Sequence, residues 1–175
     1  TSLWNLAHAS RKLERWAEAA PAFRRALRAS ADGGGEDLVN QNTSIVHGIG
    51  LNAEDIELMA QEKAKLVWSP RSNIDLYGNT AQIVGFKNQG VTIALGTDWS
   101  ASGSMNMLRE LQCADYLNRN HFGEAFSDLD LWMMGTYSAA VAMGAANQIG
   151  LLEEGYFADI AIYDGTNDAH HRAVL

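Results

Sequence analysis

Two polar side chains stand just beyond short apolar runs. His47 follows Ser44-Ile45-Val46, and Asp98 lies three residues past Val91-Thr92-Ile93-Ala94-Leu95. Imidazole and carboxylate are the groups most used for proton transfer near neutral pH, and both donate to divalent metals. In parallel sheets ligands bind beyond the carboxyl ends of the strands, so the tips of these two runs are where chemistry would sit. Each residue also has an ordinary reading: Asp98 as a helix cap or loop carboxylate, His47 as a buried histidine bonded to backbone. The remaining reactive types are isolated. Cys113 is the lone cysteine and His8 has no second ligand one helical turn on. His170 and His171 are adjacent, a spacing that suits a solvated tail better than a metal site.

If His47 and Asp98 are to meet, their runs must be parallel neighbours joined by helices. The pattern supports this. Ser44 to Val46 reads as a strand, and Asn52 caps a helix reaching about Ala64. Leu66 to Trp68 is the next strand, Asn79 to Gln89 a helix stopped by Gly90, and Val91 to Leu95 a third strand. Helices follow from about Met105 to Asn118 and from about Asp128 to Gly144. Strands apolar on both faces and separated by helices mark an α/β fold with a parallel sheet, here as three βα units.

The 175 residues are 47% hydrophobic and 19% charged with two prolines, a globular composition that excludes disordered and collagen-like chains. The net charge of −8 makes nucleic acid an unfavourable partner. No apolar run is long enough to span a membrane and no leader pattern is visible at the N-terminus. With its single cysteine, the chain is expected in a reducing, cytoplasmic compartment. Charge is unevenly spread. Residues 1–31 hold six basic and two acidic side chains (+4), leaving −12 for the remainder. That first stretch reads as two short amphipathic helices, and Leu3, Leu6, Ala7, Ala19, Phe23 and Ala26 resemble a single tetratricopeptide repeat. A glycine-rich linker, 32–42, separates this αα-hairpin from the α/β region.

Three segments in order then carry a resemblance: His47-Gly-Ile-Gly-Leu51, Trp68-Ser-Pro-Arg-Ser-Asn73, and Leu95-Gly-Thr-Asp98-Trp-Ser-Ala-Ser-Gly-Ser104. With Thr136, Ala140, Gly144 and the stretch from Gly150 to Asp164, they resemble the closing third of a metal-dependent amidohydrolase of the chlorohydrolase and cytosine-deaminase branch. The resemblance covers residues 36 to 175. It implies that 43–150 are the last three βα units of a (β/α)8 barrel and that 151–175 begin the family's small β-sandwich. It also implies hydrolysis of a non-peptide C–N or C–halogen bond, such as deamination of a heterocyclic small molecule, at a Zn²⁺ or Fe²⁺ centre. Asp98 matches the strand-tip aspartate that ligates the metal and shuttles the proton. His47 matches the sixth-strand histidine, which acts on the hydroxide or substrate, or ligates metal, depending on subtype. Ser72 and Asn73 match the loop after the seventh strand, and Trp99 with Trp68 could wall an apolar or heteroaromatic substrate pocket, although both tryptophans are more often packing residues.

The departures are as informative. The family's first ligands are a His-x-His pair, and this sequence contains none. The only histidine before His47 is His8, so the family's His-x-x-Glu is also missing. With one secure ligand, metal binding by this chain alone should be weak or absent, and the chain alone should not turn over substrate. The missing strands could instead arrive from a second polypeptide or another copy, although two copies of this sequence still lack His-x-His. An alternative reading makes the chain a non-catalytic interaction protein that docks partners through its basic hairpin.

Overall fold

The computed structural model describes residues 39–166. The expected hairpin at 1–31, most of the linker at 32–42 and the tail at 167–175 lie outside the described residues.

The chain alternates strand and helix: β1 Ser44–Val46, α1 Ala53–Gln61, β2 Lys65–Trp68, α2 Pro70–Tyr77, α3 Ile83–Asn88 and β3 Ile93–Leu95. Then come α4 Met107–His121, α5 Asp128–Met134 and α6 Tyr137–Ala142. The strands form one parallel sheet in the order β1-β2-β3, with Val46 beside Val67 and Trp68 beside Leu95. The ladders continue one residue past the strands, through His47 N to Val67 O (3.0 Å) and Gly96 N to Trp68 O (2.9 Å). All three carboxyl ends therefore open on the same side.

Local chemistry sets the helix limits. Asn52 caps α1 in a reciprocal box with Asp55, Asn106 caps α4 through Arg109 N, and Ser127 caps α5 in a box with Asp130. Leu66, Trp68, Met59, Phe86, Ile83 and Leu131 are sealed from solvent, so the face of β2 that carries Leu66 and Trp68 is closed, while Lys65 and Val67 on the other face are only partly buried.

Three sequence expectations change. The segment after β2, expected as a loop, is a helix: Pro70 stands at its first position, where a missing N–H costs nothing, and Gly78 ends it at φ 68°. Ser72 and Asn73 therefore lie in its first turn. The helix expected from Asp128 to Gly144 is two, broken at Gly135 and Thr136, which lets α6 turn back along β2 and β3. The helix expected from Asn79 starts at Ile83, because Thr80 is held outside it by Trp68 and Asn73. Among the described residues, 151–166 carry no strand; Ile160 and Ile162 stand exposed with no partner ladder beside them. No helix of the described residues is long and apolar enough to cross a membrane.

Candidate active site

The two strand-tip residues meet. His47 Nε2 lies 3.8 Å from Asp98 Oδ2, and both side chains remain partly open to solvent at the carboxyl end of the sheet. Both also sit on left-handed backbone, at φ 70° for His47 and 55° for Asp98. Such a conformation costs a non-glycine residue about 1–3 kcal/mol, so it persists only where the surroundings impose it. Here they do. His47 is pinned by its ladder bond to Val67, and the loop bearing Asp98 is closed by Ser102 N and Gly103 N on Trp99 O and by Ser104 N on Thr97 O. Gly103 is required: a Cβ there would fall 1.9 Å from Thr97 O.

The first turn of α2 supplies the partners. Ser72 and Asn73 are wholly buried. The Ser72 hydroxyl donates a short hydrogen bond to Asp98 Oδ2 and lies 3.2 Å from Ser102 Oγ. Asn73 aims Nδ2 at two acceptors, His47 O (3.4 Å) and Thr80 Oγ1 (3.3 Å), which leaves Oδ1 facing His47 Nδ1 at 2.9 Å. An amide oxygen only accepts, so Nδ1 carries a proton and donates. The second ring nitrogen, Nε2, is thereby turned toward Asp98, and the edge of the Tyr77 ring, 5.9 Å from the imidazole, borders the other side.

Partial burial alone would raise the Asp98 pKa, but the Ser72 hydroxyl, the Trp99 backbone N–H and His47 together hold the carboxyl below its ordinary range. Asp98 is thus ionised at neutral pH, as a metal ligand or proton acceptor must be. As donor types, this carboxylate and imidazole fit a divalent cation. In number they fall short: no group of three His, Cys, Asp or Glu converges among the described residues, whereas protein zinc sites take three or four protein ligands.

Sequence reasoning brought together Asp98, His47, Ser72 and Asn73, and they converge. The tryptophans differ. Trp68 is fully buried, packs on Phe122 and donates to Thr80 Oγ1 (2.7 Å), so it belongs to the core and not to a substrate wall. Trp99 meets Asp98 through its backbone, and its side chain is 71% exposed. Two residues went unread. Ser102 sits behind Ser72. Glu110 of α4, wholly buried, accepts from Arg71 N at 3.1 Å. Its spacing from Met107, Leu111 and Ala114 places it on the inward face of the helix, which is the signal that would have found it.

A cavity of about 460 Å³ runs between α4, α5, α6 and residues 149–163. It is apolar, and neither Asp98 nor His47 lines it, so its size does not make it the reactive site.

Comparison with known proteins agrees with this architecture. A model described as "Amidohydrolase family" matches residues 7–174, a span that begins within the tetratricopeptide-like stretch. A 5-methylthioadenosine/S-adenosylhomocysteine deaminase from Teredinibacter turnerae is 37% identical over 145 residues, covering 81% of this chain and 32% of that protein. The crystal structure of an adenosine deaminase from Xanthomonas campestris with bound zinc superposes with a TM-score of 0.65 at 29% identity, over 70% of this chain and 28% of that one. The atrazine chlorohydrolase of Arthrobacter aurescens, complexed with zinc, shares the fold with a TM-score of 0.60 at 22% identity, over 69% of this chain and 27% of that one. The chain thus spans about a third of the length of the curated relatives it matches. Parallel strands with a histidine and an aspartate facing each other across their tips, and a family match over nearly the whole length, lead to one conclusion: this chain belongs to the amidohydrolase family.

Proposed function

We propose that the chain supplies one side of an amidohydrolase active centre that deaminates a heterocyclic small molecule of the nucleoside type. The observation that supports this reading is the Asp98–His47 pair, held by Ser72 and Asn73 at the strand tips. In the proposed reaction Asp98 accepts a proton from the attacking water and passes it to the departing amine. His47, its Nδ1–H committed to Asn73, keeps Nε2 facing the same space. The bond donated by Ser72 favours the charged form of Asp98 and so keeps the carboxylate ready to accept.

Asp98 and His47 would contribute two donors to a Zn²⁺ or Fe²⁺ ion, whose role when bound is to acidify the attacking water. Further donors would come from outside the described residues, from another copy or a complementing chain. Trp99, exposed at the rim, would meet the substrate base. In the same reading residues 43–150 are the final three βα units of the barrel, 151–175 open its β-sandwich, and 1–31 form a helical hairpin on a glycine-rich joint at 32–42. Cytoplasmic residence fits the lone, half-buried Cys113.

The test is a chimera in which residues 39–166 replace the matching third of the Teredinibacter deaminase, assayed for ammonia release from methylthioadenosine, S-adenosylhomocysteine and guanine with zinc supplied. Ammonia release from at least one substrate is expected. A folded, zinc-loaded chimera that releases none would contradict the proposal.

A further inference from the structure

Glu110 is the one described side chain that is completely buried, charged in kind, and left with an oxygen, Oε2, that no hydrogen bond reaches. Its carboxyl reaches across from α4 to the backbone N–H of Arg71, which donates to Oε1 at 3.1 Å, and also takes a bond from the Ser104 side chain. That donor is special. Pro70 has no N–H and Ser69, the N-cap of α2, makes no side-chain cap bond, so Arg71 N is the first free donor of the helix and Glu110 satisfies it from a neighbouring helix. Arg71 Nε in turn bonds Ser104 Oγ at 3.2 Å, and Ser104 N closes the Asp98 loop on Thr97 O. The next two residues of α2 are Ser72 and Asn73, which hold Asp98 and His47.

We propose that Glu110 is a positioning residue: by capping α2 from α4 it fixes the turn whose side chains set the Asp98 hydrogen bond and the His47 tautomer. This rests on the proposed roles of Asp98 and His47, and it identifies the group that holds the turn between them in register. A carboxylate at a helix N-terminus also suits the positive end of the helix dipole. Burial, and to a smaller degree the Asp98 charge, raises the Glu110 pKa against the bonds from Ser104 and Arg71. Glutamine keeps an acceptor at the Oε1 position for Arg71 N, and aspartate does not, since its carboxyl retreats by one methylene.

The test compares Glu110→Gln, Glu110→Asp and Glu110→Ala in the full chain, reading the His47 ring-nitrogen shifts and the Asn73 side-chain amide by ¹⁵N NMR at one fixed pH. Glu110→Gln should keep the wild-type signature of an Nδ1-protonated ring bonded to Asn73. Glu110→Asp and Glu110→Ala should lose it, while the remote Asn118 amide, bonded to Phe126 O, stays in place. If Glu110→Ala fails to fold, Glu110→Asp decides. Wild-type His47 and Asn73 shifts in a folded Glu110→Asp protein would overturn the proposal, as would their loss in Glu110→Gln. In the active chimera, Glu110→Asp should lower kcat at least about tenfold with KM little changed, since small misplacements cost rate more than binding. Equal losses in kcat/KM from KM alone would also overturn it. The NMR result needs no catalysis, so it separates failure of this inference from failure of the proposed reaction.

Discussion

His47 Nε2 and Asp98 Oδ2 are 3.8 Å apart although 51 positions separate the two residues in the sequence. The sheet brings their strands to a common edge, with β2 lying between, and α2 rising from the tip of β2 places Ser72 and Asn73 against both. The central strand thus serves as the scaffold for a pair carried by its two neighbours.

Asn73 is the more sensitive of the two supports. Asn73→Ala leaves the His47 Nδ1–H without its acceptor in a part-buried setting, a loss of about 0.5–1.5 kcal/mol. Urea denaturation should show that decrease, and the ¹⁵N shifts of His47 should move toward a mixture of tautomers. An unchanged midpoint with unchanged shifts would remove Asn73 from the site.

The Asp98 loop depends on Gly103. In Gly103→Ala the new methyl group meets Thr97 O at 1.9 Å, against backbone that cannot swing aside as a side chain would. The loop must shift, with a destabilisation of roughly 1–3 kcal/mol. In the chimera, activity should fall further than stability alone explains, because Asp98 rides on that loop. Wild-type stability and turnover together would show that the loop tolerates the change.

Asp130 predicts a pH effect away from the site. Burial alone would raise its pKa, but the Ser127 backbone and hydroxyl and the Lys87 ammonium, 3.0 Å away, hold it below the ordinary 3.8. A carboxylate depressed on folding adds stability above its unfolded pKa and loses it as pH falls through the folded value. The loss should begin near pH 3.8 and be complete below the lowered value. Asp130→Asn should therefore be less stable than wild type at pH 7, with the difference shrinking in acid. A stability gap that is constant down to pH 2 would contradict the assignment. The pair is half exposed, so high salt should weaken the effect.

Much of the fold was legible because β1, β2 and β3 are short, β-branched and apolar on both faces, and their tips end in polar residues. That pattern located His47 and Asp98 directly. Ser72 and Asn73 came only through the family resemblance, and their place on a helix was missed because Trp68-Ser-Pro reads as a turn until Pro70 is recognised as a first helical position. The break at Gly135 was hidden because the apolar spacing continues across it from Leu131 to Ala140. For Trp68 the sequence leaves packing and pocket wall both open, because it gives the residue type but not the side of the sheet; full burial decides for packing. Glu110 escaped notice for a different reason: a glutamate in a polar helix is ordinarily solvated, and only its phase with Leu111 and Ala114 marks it as inward.

The central claim is that Asp98 is the proton acceptor of this family's reaction in this chain. Its most direct test is turnover of the chimera with Asp98→Asn, a change that preserves shape and removes the carboxylate. The account predicts a fall in kcat of at least about a hundredfold with the fold and substrate binding intact. Turnover within a fewfold of the unsubstituted chimera would contradict it.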